Sequence, residues 1–155
     1  LTLTFEPTEP GTMQRPPRAS SEPLLSPFLV WRIVFVSFLF VAGAFSIFYW
    51  ATVRGLPIEE ARTLVVNTIV AMEIFYLFNV RFQHGPSVTW RGILGTRAVI
   101  IGVGLVAALQ LAFTYAPPMQ FLFGTAAIDA VSWLWIAGLS FALWLAVEAE
   151  KLVLR

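Results

Sequence analysis

Four long stretches of this chain carry almost no charge, and they set its architecture. Ile33 to Val53 lies between Arg32 and Arg54. Thr63 to Val80 is interrupted only by Glu73. Ala98 to Ile128 lies between Arg97 and Asp129 and is split by Pro117-Pro118. Ala130 to Val147 lies between Asp129 and Glu148. Each supplies close to the ~20 apolar residues that a helix needs to cross ~30 Å of hydrocarbon. The pattern predicts an all-α, polytopic membrane protein, a bundle of four transmembrane helices over about 28–53, 58–82, 95–115 and 128–151.

The breaks agree with this reading. Arg54-Gly55-Leu56-Pro57 closes the first helix, Pro57 suits the first turn of the second, and Glu59 and Glu60 favour its positive dipole end. His84-Gly85-Pro86-Ser87 is a turn, and Pro117-Pro118 stops the third helix. Phe121-Leu122-Phe123-Gly124 is expected in the outer membrane interface. Residues 1–27 form a separate region. Leu1 to Phe5 reads as the end of a preceding membrane helix. A cytosolic loop with prolines at 7, 10, 16, 17, 23 and 27 follows, a density that excludes a helix. The chain starts without Met, as expected of a piece of something longer.

Only 12% of the 155 residues are charged and 58% are hydrophobic, with a mean hydropathy of +0.79; soluble domains carry about 25% charged residues. A net charge of +1 gives no basic face for nucleic acid. Placing both termini in the cytosol puts eight Lys and Arg inside and two outside, the distribution that sets topology. Trp31 and Trp90 then mark the inner boundary; Tyr49, Trp50, Tyr115, Trp133 and Trp135 mark the outer one. The expected location is a bacterial inner (plasma) membrane.

Glu73 is the main candidate for chemistry. A carboxylate at mid-bilayer costs ~2.5–3.5 kcal/mol even on lenient scales, and such groups mark ion or proton sites unless a structural hydrogen bond holds them. Ile69, Val70, Tyr76, Leu77 and Val80 share its face. One helix supplies one oxygen ligand, whereas Ca²⁺ takes six to eight. Gln110 and Asn67 are possible helpers, and Ser37 or Ser46 on the first helix are further polar candidates. Glu59 with Arg62, and Glu148 with Lys151, read as helix-surface pairs of small weight. Cysteine is absent, which rules out disulfides and thiolate sites within this sequence. A single histidine, His84, makes no metal site. Gly102-Val-Gly104-Leu-Val-Ala107 lies inside a membrane helix, where it serves close packing rather than dinucleotide binding.

Several pieces, in order, resemble the C-terminal region of P-type cation-transporting ATPases of the calcium-pump and sodium-pump type. They are Leu1-Thr-Leu-Thr-Phe-Glu-Pro7, Met13-Gln-Arg-Pro-Pro-Arg18, Ala61-Arg-Thr-Leu-Val-Val-Asn67, Glu73-Ile-Phe-Tyr-Leu-Phe-Asn79, Tyr115-Ala-Pro-Pro-Met119 and Glu148-Ala-Glu-Lys151. The resemblance implies that the four helices are the seventh to tenth of ten and brace the moving ones. It implies that Glu73 matches an eighth-helix carboxylate at a cation site. It also implies that Arg15 and Arg18 lie in a loop coupling to the phosphorylation domain. The parent would use ATP and Mg²⁺ and move a cation, Ca²⁺ being favoured. Its partners would be the lipid bilayer and the remaining helices and cytosolic domains. The segment itself carries no phosphorylation or nucleotide motif and no cofactor of its own. The alternatives are a free-standing four-helix scaffold or assembly partner without transport, and a small channel built by oligomerisation around Glu73.

Overall fold

The computed structural model describes residues 26–80 and 97–153. They form five helices: α1 (Pro27–Val53), α2 (Ile58–Val80), α3 (Arg97–Tyr115), a short α4 (Pro117–Phe123) and α5 (Ala130–Val153). No strand occurs among the described residues. All but α4 are long and apolar enough to cross a membrane, so the chain is an all-helical integral membrane protein.

Local chemistry sets the ends. The Ser26 side chain accepts a hydrogen bond from the Leu29 N–H at 3.2 Å, and Pro27 follows at the first helical position. The turn into α2 uses Gly55 at φ 68°, a left-handed conformation that suits glycine. Gly124, at φ 60°, ends α4 in the same way. Asp129 caps α5 by accepting from the Ser132 N–H at 2.8 Å. Its outer oxygen pairs with Arg54 at 3.7 Å, and the Arg54 guanidinium lies 4.8 Å from the Trp50 ring centroid. Arg54 therefore ties the α1–α2 turn to the start of α5, at what is called here the hairpin side. The opposite side, where α1 begins and α5 ends, is the terminal side.

Helix α2 lies at the centre, packed against both α1 and α5, which also touch each other. On the hairpin side, Ile47 and Ala51 of α1 meet Ala61 and Leu64 of α2 and Ile136 of α5. Towards the terminal side, Val36, Met72, Leu143 and Val147 form a second cluster. Gly43 allows α1 to come close: a Cβ there would lie 2.7 Å from the Met72 sulfur. Small residues serve this purpose in membranes, where lipid is as apolar as leucine and helices associate by packing and hydrogen bonds. Phe38, Phe45 and Leu134 point outward, as lipid-facing side chains should.

Three buried hydroxyls are satisfied within their own helices. Thr63, Thr68 and Ser140 each donate to the carbonyl four residues earlier, at 2.7–2.8 Å. At the terminal side Lys151 is buried and its ammonium donates to the Asn79 carbonyl at 2.7 Å, and Asn79 Nδ2 donates to Glu148 Oε2 at 3.0 Å. The Lys151–Glu148 pair, 3.4 Å apart, was expected on the sequence to be a weak surface pair. Both residues also reach Asn79, so the pair is part of a tie between α5 and α2.

Helix α3 is held differently. It meets α2 over a short stretch near its hairpin end, and the two helices leave a groove between them elsewhere.

Candidate functional site

Successive residues on α2 point about 100° apart. Met72 is buried against α1, so Glu73 faces the other flank, towards α3. It is exposed within this chain and lines a groove of about 380 Å³ with Val70, Ile74 and Leu77 of α2 and Gly102, Val103, Leu105 and Val106 of α3. Glu73 is the one polar side chain among these residues. Gly102, which carries no side chain, forms part of the facing wall.

Val70 and Ile74 also line a second cavity of about 190 Å³, further towards the hairpin side, with Asn67, Ala107, Gln110 and Trp133. Asn67 and Gln110 are thus brought together on the same seam, but not onto Glu73. Six residues separate Asn67 from Glu73 on one helix, a rise of about 9 Å. The two side chains line different cavities along this seam.

Asn67 is already engaged. Its Nδ2 donates to the Thr63 carbonyl and to Thr114 Oγ1, both at 2.9 Å. The Thr114 hydroxyl donates to the Gln110 carbonyl at 2.8 Å and lies 3.3 Å from Asn67 Oδ1. Asn67 is 1% exposed and Thr114 is fully buried. Their bond is a clasp between α2 and α3. Gln110 Nε2 is buried and has no hydrogen-bond partner among the described residues.

The clasp continues outward. Gln120 of α4 donates to the Thr114 carbonyl at 2.7 Å. Thr125 Oγ1 donates to the Phe113 carbonyl at 3.1 Å, and the Ala126 N–H donates to Thr63 Oγ1 at 3.0 Å. Tyr115 donates to the Ile128 carbonyl at 3.0 Å and accepts from Trp133 Nε1 at 2.8 Å. One end of the α2–α3 seam is therefore locked by polar contacts, and the stretch holding Glu73 is left open.

Ser37 and Ser46 are exposed on α1 and line neither cavity. The sequence left their direction open. The packing of Gly43 onto Met72 puts α1 on the flank of α2 opposite the groove, so neither serine completes a site with Glu73. Arg15 and Arg18 lie outside the described residues, as do His84 and Trp90. Among the described residues no three His, Cys, Asp or Glu side chains come together as a metal site. Within them the arrangement offers one carboxylate on an apolar wall: one ligand of a site, open on the side where others would have to come from. Thr114 went unremarked in the sequence, because a threonine in an apolar window gives no sign of its partner.

The chain matches the family model described as "Cation transporting ATPase, C-terminus" over residues 1–153. It is 42% identical over 156 residues to the "Probable cation-transporting ATPase F" of Mycobacterium tuberculosis, covering 100% of this chain and 17% of that protein. It is 34% identical over 137 residues to "Cation-transporting ATPase pma1" of Synechocystis sp., covering 84% of this chain and 15% of that protein. It is 26% identical over 152 residues to the mouse "Calcium-transporting ATPase type 2C member 2", covering 97% and 16%. The chain thus spans about a sixth of the length of these relatives. Its four long apolar helices and these matches agree: the chain belongs to the C-terminal membrane domain of cation-transporting P-type ATPases.

Proposed function

We propose that this segment braces the transport helices of an ATP-driven cation pump and lends Glu73 to a cation or counter-proton site. The observation that carries this reading is the placement of Glu73 on an open, otherwise apolar groove between α2 and α3. A carboxylate in that setting needs a cation, a proton or donors from outside the described residues to offset its desolvation. Relatives about six times longer have the chain to supply them.

Bracing follows from the tied ends. The Asn67–Thr114 clasp, the Arg54–Asp129 pair and the Lys151–Asn79 tie hold α1, α2, α3 and α5 as a frame, while the groove stays free for ligands carried by moving helices. The frame sits with both termini in the cytosol, by the distribution of Lys and Arg. In the intact pump Arg15 and Arg18 belong to a loop that meets the phosphorylation domain. ATP and Mg²⁺ act in the other domains, and Ca²⁺ is the favoured cargo, since some relatives are named as calcium-transporting.

The test is Glu73→Gln in the full-length protein reconstituted in vesicles. Cation-dependent ATP hydrolysis is measured against cation concentration, and transport against pH. A weaker apparent cation affinity, or a lost pH dependence, is expected. Unchanged affinity and an unchanged pH profile would remove Glu73 from the site and leave it a structural residue.

A further inference from the structure

Helix α4 reverses the polarity of a soluble surface helix. Its one polar side chain, Gln120, turns inward to the Thr114 carbonyl, and its apolar side chains turn out. Phe121 is 92% exposed, Leu122 70% and Phe123 56%, with Met119 beside them. A contiguous bare patch of this kind is not left to water.

Three observations fix the level at which the patch lies. Tyr115 and Trp133 are hydrogen-bonded to each other immediately before α4 and at the start of α5. On the other flank the Trp50 and Trp135 rings lie 5.5 Å apart, with Arg54 over Trp50. Aromatic side chains with a polar handle gather where hydrocarbon gives way to headgroups. The chain also folds back after α3 rather than projecting away. The Phe123 ring is 5.4 Å from that of Phe113, half a turn before the end of α3, and Thr125 bonds the Phe113 carbonyl. The outward face of α4 is thus continuous with the lipid-facing surface of the spanning helices.

We propose that α4 is an interfacial foot. Phe121 and Leu122 insert at the boundary between lipid headgroups and acyl chains, and Gln120 tethers the foot to α3. The partner is the bilayer itself, recognised by apolar area at a fixed depth. A seven-residue helix spans only about 10 Å, so it can lie at that boundary but cannot cross.

The experiment is site-directed spin labelling of the full-length protein in phosphatidylethanolamine–phosphatidylglycerol vesicles. This sequence contributes no cysteine, and any elsewhere are replaced by serine. Single cysteines are placed at Phe121, Leu122 and, independently, Met119. Phe38 serves as a lipid-facing reference and Glu59 as an aqueous one. Collisions with oxygen, which partitions into hydrocarbon, are compared with collisions with a water-soluble nickel chelate. The expected result is oxygen exceeding nickel at Phe121 and Leu122, with nickel broadening several-fold below that at Glu59. Nickel dominating at both sites, as in a hydrated loop, would overturn the proposal. So would protection from both reagents, which would mean that a protein segment covers α4. These sites point away from the packed helices, so labelling leaves the fold intact, and a single size-exclusion peak checks it. The outcome does not depend on Glu73 or on transport.

Discussion

The bond between Asn67 and Thr114 is the main direct tie between α2 and α3 beside the groove, and its weight can be measured. Both side chains are buried and the Nδ2···Oγ1 distance is 2.9 Å. Asn67→Leu removes this bond and the one to the Thr63 carbonyl; Thr114→Val removes it and the one to the Gln110 carbonyl. The within-helix losses belong to the single variants and cancel in a double-mutant cycle, leaving the cross-helix term. Hydrogen bonds between membrane helices average ~0.6 kcal/mol in such cycles, with a maximum near ~1.7. With both partners enclosed, the coupling here should fall between those values, a factor of ~3 to ~18 in the equilibrium constant. The assay is equilibrium unfolding of the full-length protein in mixed micelles for wild type, both single variants and the double, followed by tryptophan fluorescence. Trp133 lines the adjacent cavity and reports on this seam. A coupling below ~0.3 kcal/mol, within ordinary additivity, would refute the clasp as a tie between the two helices.

Other outcomes follow from particular contacts. Gly43→Val should destabilise by ~1–3 kcal/mol through overpacking. Gly43→Ala should cost clearly less, because the group in its way is the flexible end of Met72; thermal melts in detergent separate the two. Lys151→Met should cost ~1–3 kcal/mol, since it strips a charged donor from the Asn79 carbonyl and leaves that acceptor buried; the same melts test it. The Asp129 carboxyl is held below its usual range by Ser132, whose N–H donates to it, with Arg54 adding to the effect. Its native value is lowered, so its contribution is present above the unfolded pKa and is lost as pH falls through the native one, below the ordinary 3.8. Asp129→Asn, which still caps a helix, should flatten this acid limb in a pH series of melts and lower the melt at neutral pH by the same charge-dependent contribution.

Much of this architecture can be read from one dimension. A helix in lipid must satisfy its own backbone and be apolar for its whole length. Charge-free windows closed by Arg32, Arg54, Arg97 and Asp129 therefore announce spanning helices without any knowledge of neighbours. Glu73 stood out for the same reason: a carboxylate in such a window is costly wherever it points. The order of short motifs indicated the family, and the matches show it. Periodicity said much less about partners. In these helices nearly every face is apolar, so the pattern does not say which face meets protein and which meets lipid. Only the packing of Gly43 on Met72 turns Glu73 away from α1 and towards α3, and with it strands Ser37 and Ser46 on the far side. Only the assembled bundle brings Asn67 onto Thr114, 47 positions along the chain. It also turns Lys151 from a surface charge into a buried tie to another helix. Composition along the chain determined what must lie in the membrane, because transfer to lipid is a property of each segment alone. The tertiary structure decided which polar groups meet, because a hydrogen bond depends on two positions whose distance no single segment contains.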